Sequence, residues 1–365
     1  METRRGVRRR SVVAAGTAAA AGLLPGCSDG PADAPDAAPP APAHQPGVVT
    51  RPPDRALLVA LEVTAAAPGA TLRSLADRLG RANAAGAAEV TLAVGASLFD
   101  GRFGLAGQRP PLLTAMPAFP NDVPDPAWSH GDLLLQICAP TDDRAAAVAE
   151  DLLNAAGKGS RVRWRLAGFR PENGTTAAGL PATRNLFGFR EGAGNPDPGD
   201  AALMDRLVWT SGEPAWAAGG TYQVVRLIRF ATELWNRDPV SRQEAMLGRH
   251  REDGSPLAGG AEDAAFDYAG DPEGLVTPVD AHIRRANPRT PEVAAHRILR
   301  RGYSYRKDGS EGLIFVCFQR DPEQGFAAAQ RRLAGEALDR YVLPFGGGYY
   351  FVPPSAGALS GLLPG

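Results

Sequence analysis

Cysteine is scarce. The 365-residue chain holds three, Cys27, Cys138 and Cys317, and they do not cluster at metal-ligand spacing, which excludes a thiolate zinc site or an iron–sulfur centre. Cys138 and Cys317 lie in apolar, strand-like runs and read as buried structural thiols. Net charge is missing as well: 39 Lys and Arg against 40 Asp and Glu leave −1. No basic field exists to hold a polyanion, so no nucleic-acid partner is expected. An apolar, Ala-rich run over residues 12–25 is too short and too weakly hydrophobic to span a bilayer as a permanent anchor.

What is present is a globular composition, 44% hydrophobic and 22% charged, preceded by an export signal. Arg4, Arg5, Arg8, Arg9 and Arg10 form a cationic start ahead of the mild apolar run. Paired arginines there point to twin-arginine export, which carries folded proteins, with Val12-Val13 standing where Phe-Leu is preferred. Ordinary secretion is the alternative. Leu24-Pro25-Gly26-Cys27 resembles a lipobox; Cys27 is therefore either a lipid-anchored new N-terminus or an incidental residue of a cleaved signal. The expected product is extracellular or held at the cell envelope. Residues 1–27 are read as signal, and residues 28–54, rich in Pro and Ala with almost no large apolar side chain, as a flexible tether.

From Arg55 onward the sequence carries a faint duplication. Gly131 to Cys138, then Asp142 and an Ala-rich helix, matches Glu311 to Cys317, then Asp321 and a second helix, with Cys and Asp in the same register. Strand-like runs at residues 56–64 and 222–230 pair off too, each followed by a helical stretch, 72–84 and 241–247. Each half reads as strand, helix, strand, strand, helix, strand. The expected fold class is α+β: two ferredoxin-like domains, residues 55–215 and 216–365, with antiparallel sheets and a cleft for a ligand.

Five histidines are present. His44 falls in the tether and His130 in a turn, so neither reads as a ligand. His282 stands in His282-Ile283-Arg284-Arg285-Ala286-Asn287-Pro288-Arg289. This run, the later Leu299-Arg300-Arg301-Gly302-Tyr303-Ser304-Tyr305, and the strand Leu313 to Asp321 resemble the C-terminal half of dye-decolourising peroxidases, closest to the exported bacterial branch that includes the deferrochelatase type. Ala96 to Asp100, Arg102 to Leu105, Gly131 to Cys138 and Gly219 to Tyr222 extend the likeness over residues 55–354.

The resemblance implies one b-type haem per chain with His282 as axial iron ligand. An acidic partner on the other ring nitrogen would strengthen that donor; Asp280 is near in sequence, but spacing does not identify the partner. His296 is the next candidate ligand. Family members carry Gly-x-x-Asp-Gly over the iron, and here the run is Gly188-Phe189-Arg190-Glu191-Gly192, so Glu191 takes the place of the acid. Glu differs from Asp by about 0.4 in reference pKa and by roughly 1.5 Å of reach. The distal arginine falls on Arg300, with Arg301 as rival because a one-residue slip swaps them, and Gly302 stands where some relatives have Asn. Haem-contact positions fall on Gly192, Ala193, Gly194, Arg249, Asn287, Pro288, Arg289 and Arg300, with Arg249 suited to a propionate. Of the five tryptophans and the tyrosines Tyr303, Tyr305, Tyr349 and Tyr350, most read as core residues, with electron transfer from surface-bound reductants as the alternative.

Two functions follow from the resemblance. One is a haem peroxidase that uses hydrogen peroxide to oxidise dyes, phenols or similar small reductants. The other is haem binding or iron recovery with weak turnover. Relatives assemble variously, so a homo-oligomer is an open expectation.

Overall fold

The computed structural model describes residues 44–362, apart from 67, 171, 176–180 and 213. The expected signal, Cys27 and residues 28–43 of the expected tether lie outside the described residues. The elements in chain order are β1 (Arg55–Val63), α1 (Gly69–Ala84), β2 (Glu89–Gly95), β3 (Leu133–Ala139), α2 (Asp142–Ala156) and β4 (Ser160–Phe169). A small hairpin of β5 (Glu172–Thr175) and β6 (Pro181–Thr183) and a helix α3 (Ala201–Leu207) come next. The second half follows with β7 (Thr221–Phe230), α4 (Thr232–Trp235), α5 (Val240–Leu247), α6 (His282–Ala286) and α7 (Pro291–Ala295). It ends with β8 (Leu299–Arg300), β9 (Tyr303–Lys307), β10 (Ser310–Gln319), α8 (Ala328–Leu333) and β11 (Val342–Val352).

Strands of the first half run in the order β2-β3-β1-β4 and those of the second in the order β11-β7-β10-β9, the same ferredoxin-like arrangement twice. The two arcs do not form separate sheets. β11 pairs with β2, and β4 pairs with β9, so the strands close into one antiparallel barrel. β8 lies beside β10 just past β9.

Alternation along the strands divides the core in two. Ala56, Leu58 and Ala60 of β1 join Leu134, Trp164, Val225, Tyr303 and Val316 inside the barrel. Val59, Leu61 and Val63 face the other way, with Leu72, Leu75 and Leu79 of α1 and Val148 and Leu152 of α2 packed on them. The helices cover this outer face because their apolar residues recur every three to four positions. Thr141 caps α2 by accepting from the Arg144 amide, and Asp321 does the same for the second copy by accepting from the Glu323 and Gln324 amides.

Those caps correct the expected register of the duplication. Asp321 occupies the place of Thr141, not of Asp142. In agreement, Cys138 points into the barrel while Cys317 points outward. Both are buried free thiols, but they are not equivalent positions; a slip of one residue turns a strand side chain to the opposite face.

A second correction concerns the tether. Residues 44–54 belong to the folded body. Gln45 is buried, donates to the carbonyls of Leu92 and Pro353, and accepts from the Leu92 amide. Val48 joins the inner core, and His44 stacks on Trp209 at 3.7 Å. Low apolar content does not keep this stretch off the surface, because hydrogen bonds to strand backbone anchor it.

The crossover between the first two strands of the second half is not a single helix like α1. It spans residues 231–302 and carries α4 to α7 and β8. Most of the candidate site residues sit on this excursion.

Candidate functional site

α6 begins at His282, following a chain that runs in extended conformation at Ala281. The start of the helix is held from both sides. Arg284 donates to the carbonyls of Thr277 and Asp271 and pairs with the Asp271 carboxylate. Arg285 donates to the carbonyls of Arg332, in the last turn of α8, and of Ala334 just past it. This second clasp brings the turn after α8 under the imidazole, and Nδ1 of His282 meets Oε2 of Glu336 at 2.7 Å. Glu336 is 9% exposed. Its carboxylate fixes the tautomer with the proton on Nδ1, which leaves the Nε2 lone pair available to a metal.

Glu336 is the acidic partner that spacing alone could not identify. It lies 54 residues from His282, and the contact arises only because α8 packs against α6. Asp280, the neighbour in sequence, is exposed. His296 ends α7 half-buried.

The expected acid loop is built by short-range hydrogen bonds. Oδ1 of Asn185 accepts from the amides of Phe187 and Phe189, and its Nδ2 donates to Oε1 of Glu191 at 2.9 Å. The Glu191 amide donates to the Thr183 carbonyl. Gly192 (φ 92°) and Gly194 (φ 75°) both adopt the left-handed backbone that favours glycine, and the Asn195 amide closes the turn on the Gly192 carbonyl.

Asn195 stitches that loop to β8. Its Oδ1 accepts from the amide and Nε of Arg300, and its Nδ2 donates to the Arg300 carbonyl at 2.8 Å. Arg300 Nη2 donates to the Ala193 carbonyl at 2.7 Å. Arg301, just past β8 and still bonded through its amide to the Val316 carbonyl of β10, points to the opposite face. It is 2% exposed and bonds Glu89 at 2.7 Å and the Thr50 carbonyl. Of the two rivals, Arg300 shares the loop of Glu191; Arg301 holds the 44–54 segment to the barrel.

Glu191 also lies beside Arg170. The two border a void of about 10 Å³ with Thr183, Gly302 and Ser304, close to the size of a single water site. Arg170 donates to Thr183 Oγ1 at 3.1 Å and to the Gly302 carbonyl at 3.2 Å. Burial lowers its pKa, while nearby Tyr303 and Glu191 act in the opposite sense. No side chain fills the void from position 302, so the longer acid and the glycine border the same space.

Arg249, Arg289, Arg297 and Arg300 form a cationic group. Burial, then the repulsion of Arg289 and Arg300, lowers the pKa of both Arg249 and Arg297. Arg249 donates to the carbonyls of Gly254 and Glu262, and Arg297 to that of Gly194. Phe266 lies under both Arg249 and Arg289. Arg289 itself has φ 63°, and Asn287 Oδ1 accepts from its amide, with Pro288 fixing the turn between them. Mutually repelling guanidiniums in a partly buried place suit a polyanionic group such as two carboxylates. With an imidazole presenting a free Nε2, the set fits a haem with its propionates.

Asn185, Asn195, Arg170, Arg297 and Glu336 were not singled out from sequence. Asn185, two residues ahead of Phe187-Gly188, carries the signal of an Asx turn; the others act across long sequence separations and leave no local mark. All five tryptophans pack in or against the core, as expected: the indoles of Trp164, Trp216 and Trp235 donate to the carbonyls of His130, Gln108 and Phe187.

The chain matches known proteins over both halves of the barrel. The sequence model for the N-terminal part of Dyp-type peroxidases matches residues 45–170 and that for the C-terminal part residues 182–357. Glu191 thus falls in the C-terminal part, and the match begins within the segment expected to be tether. Deferrochelatase of Escherichia coli strain K12 is 47% identical over 274 residues, 73% of this chain. The chain spans 65% of the length of that relative. Ferric DtpA from Streptomyces lividans superposes with a TM-score of 0.79 at 35% identity, covering 88% of this chain and 95% of that one. A DyP-type peroxidase from Cellulomonas bogoriensis gives 0.77 at 33% identity, covering 86% and 93%. Two consecutive family models over one closed barrel, with the histidine and the arginine on its second-half excursion and the acid on the loop that Asn195 stitches to it, make the chain a member of the Dyp-type peroxidase family.

Proposed function

We propose that the chain is a haem-dependent peroxidase that uses hydrogen peroxide to oxidise small-molecule reductants, with His282 on the iron, Glu191 as acid–base residue and Arg300 as distal cation. The observation that carries this reading is the 2.7 Å contact between His282 Nδ1 and the buried carboxylate of Glu336. A carboxylate on the far nitrogen raises the basicity of the ligating one. Bound haem supplies the iron at which the peroxide O–O bond is broken.

The protein's part is proton transfer and charge stabilisation. Glu191 takes the proton from one peroxide oxygen and returns it to the other, which leaves as water. Asn185 and Arg170 keep the carboxylate oriented. Arg300 faces the charge that grows on the departing oxygen, and Asn195 holds it there. Arg249, Arg289 and Arg297 would take the propionates, and the positive φ of Gly192 and Gly194 lets backbone approach the porphyrin closely.

A second reading keeps the haem and loses the turnover, as an iron-recovery protein. The 47% identity to proteins named deferrochelatase favours it, as does the longer acid at position 191, since a misplacement of about 1 Å can cost on the order of a hundredfold in rate. We further infer export by the twin-arginine route from the arginine pairs ahead of residues 12–25. Mixing the ferric protein with one equivalent of peroxide separates the two functions. A rapid Soret shift that is lost in Glu191→Gln supports the peroxidase; a Soret band that stays put, or only bleaches slowly, supports iron recovery.

A further inference from the structure

A cavity of about 330 Å³ lies between the segment of residues 116–130 and strands β4, β7 and β11, among residues the proposed mechanism does not use. Met116, Pro117, Pro124, Pro126 and Pro344 give it apolar walls. Its volume is within the range of small-molecule sites, roughly 300–1,000 Å³.

The polar lining is lopsided. Arg226 is 3% exposed, and its Nη1 is buried with no hydrogen-bond partner among the described residues. Its Nη2 pairs with Asp122, and the guanidinium lies over the rings of Phe119 and Phe326. Asp122, the lining acid, is already taken by Arg226 and by the Phe119 amide. Arg163 spends Nε and Nη2 on the carbonyls of Ser129 and Pro126, while its Nη1 is 3.8 Å from Glu62. What remains for a guest is donors. A buried guanidinium nitrogen left without an acceptor costs stability, and such groups call for an unseen partner.

His130 provides a second, independent sign. It is a non-glycine residue at φ 60°, a conformation that stores strain and gathers at functional positions. Its amide donates to the Gly347 carbonyl at 2.7 Å, and its own carbonyl accepts from the Trp164 indole at 2.9 Å. The backbone is thus pinned on both sides while the imidazole lines the cavity.

We propose that this cavity binds a small carboxylate with an apolar body, its oxygens taken by Arg226 and His130 and its body by the proline and methionine walls. The site does not depend on peroxidase turnover, so it stands or falls separately from the function proposed above.

Calorimetric titration of the full chain with benzoate, and with benzyl alcohol as its neutral match, tests the assignment. Benzoate should bind at one site per chain without altering the haem absorption spectrum. Benzyl alcohol should bind about ten- to a hundredfold more weakly, the worth of a hydrogen bond to a charged group. His130→Gly keeps the left-handed backbone, removes the imidazole, and should weaken benzoate about tenfold. Arg226→Met combined with Asp122→Asn removes the guanidinium without leaving a lone buried carboxylate, and should abolish binding; if that pair fails to fold, His130→Gly decides alone. No heat with benzoate, equal affinity for both probes, undiminished affinity in the variants that fold, or a benzoate-induced shift of the haem bands would each overturn the proposal.

Discussion

Replacing Glu336 by Gln is the sharpest perturbation of the proposed iron ligand. The side chain keeps its shape and can still accept from His282 Nδ1, but the negative charge is gone. The bond is short, 2.7 Å, and its acceptor is buried, so the local dielectric magnifies the loss. Hydrogen bonds to charged groups are worth about 1.5–3 kcal/mol, and changes to the outer partner of a ligating histidine cost about ten- to a hundredfold in metal affinity or activity. The negative charge favours ferric over ferrous iron. If about a tenfold preference disappears, the reduction potential should rise by about 60 mV, the one-electron equivalent of that factor. Spectroelectrochemical titration of wild type, Glu336→Gln and Glu336→Asp measures this, with the Asp variant expected between the other two. An unchanged potential in Glu336→Gln would refute the reasoning, because a charge in contact with the axial ligand cannot be removed silently. Loss of haem from His282→Ala, with retention in His296→Ala, would confirm which imidazole is concerned.

The adjacent arginines should separate cleanly. Arg301→Ala leaves Glu89 with Thr50 Oγ1 as its donor and releases the Thr50 carbonyl, and should cost about 2 kcal/mol in denaturant unfolding, the worth of a hydrogen bond to a charged group. Arg300→Ala should leave the fold nearly intact while slowing the reaction with peroxide about a hundredfold, the scale of losing one oxyanion donor. Asn185→Ala removes the bond that aims Glu191 and two turn contacts; it should slow the peroxide step and leave haem affinity unchanged, measured by transfer to an apoprotein acceptor. His130 gives a pH signature. Burial first, then Arg163, lowers its pKa, so the unfolded chain binds a proton more readily than the folded one. Stability should therefore fall as pH drops below about 6.5, the reference value, until the folded-state pKa is passed. His130→Asn introduces a side chain that tolerates positive φ and does not titrate, and should flatten that slope in thermal melts at a series of pH values.

Much of the architecture was legible because strands and helices leave different periodicities. The runs at residues 56–64 and 222–230 became β1 and β7 almost residue for residue. The register of the duplication was not, for a physical reason: every residue of β3 is buried, so alternation carries no polar mark to show which face is which. The caps at Thr141 and Asp321, and the opposite facings of Cys138 and Cys317, reveal the offset. The end of the tether was hidden differently, since Gln45 is a polar residue whose burial depends on partners at Leu92 and Pro353. The acid loop, the histidine run and the arginine pair were readable as motifs. The partners that tune them, Glu336 and Arg170, were not, because they are joined only by tertiary packing.

The closed barrel has a consequence for how the chain is made. The first arc, β2-β3-β1-β4, leaves the ribosome with both outer strands, β2 and β4, lacking their final neighbours. β4 meets β9 through Phe169 and Ser304, but β2 must wait for Tyr350 and Phe351 of β11, the last strand among the described residues. Until then the nascent protein presents an open template to which any extended segment, including one from another copy, can add. Assembly therefore completes only after β11 has been made, and the early arc needs protection from aggregation until then.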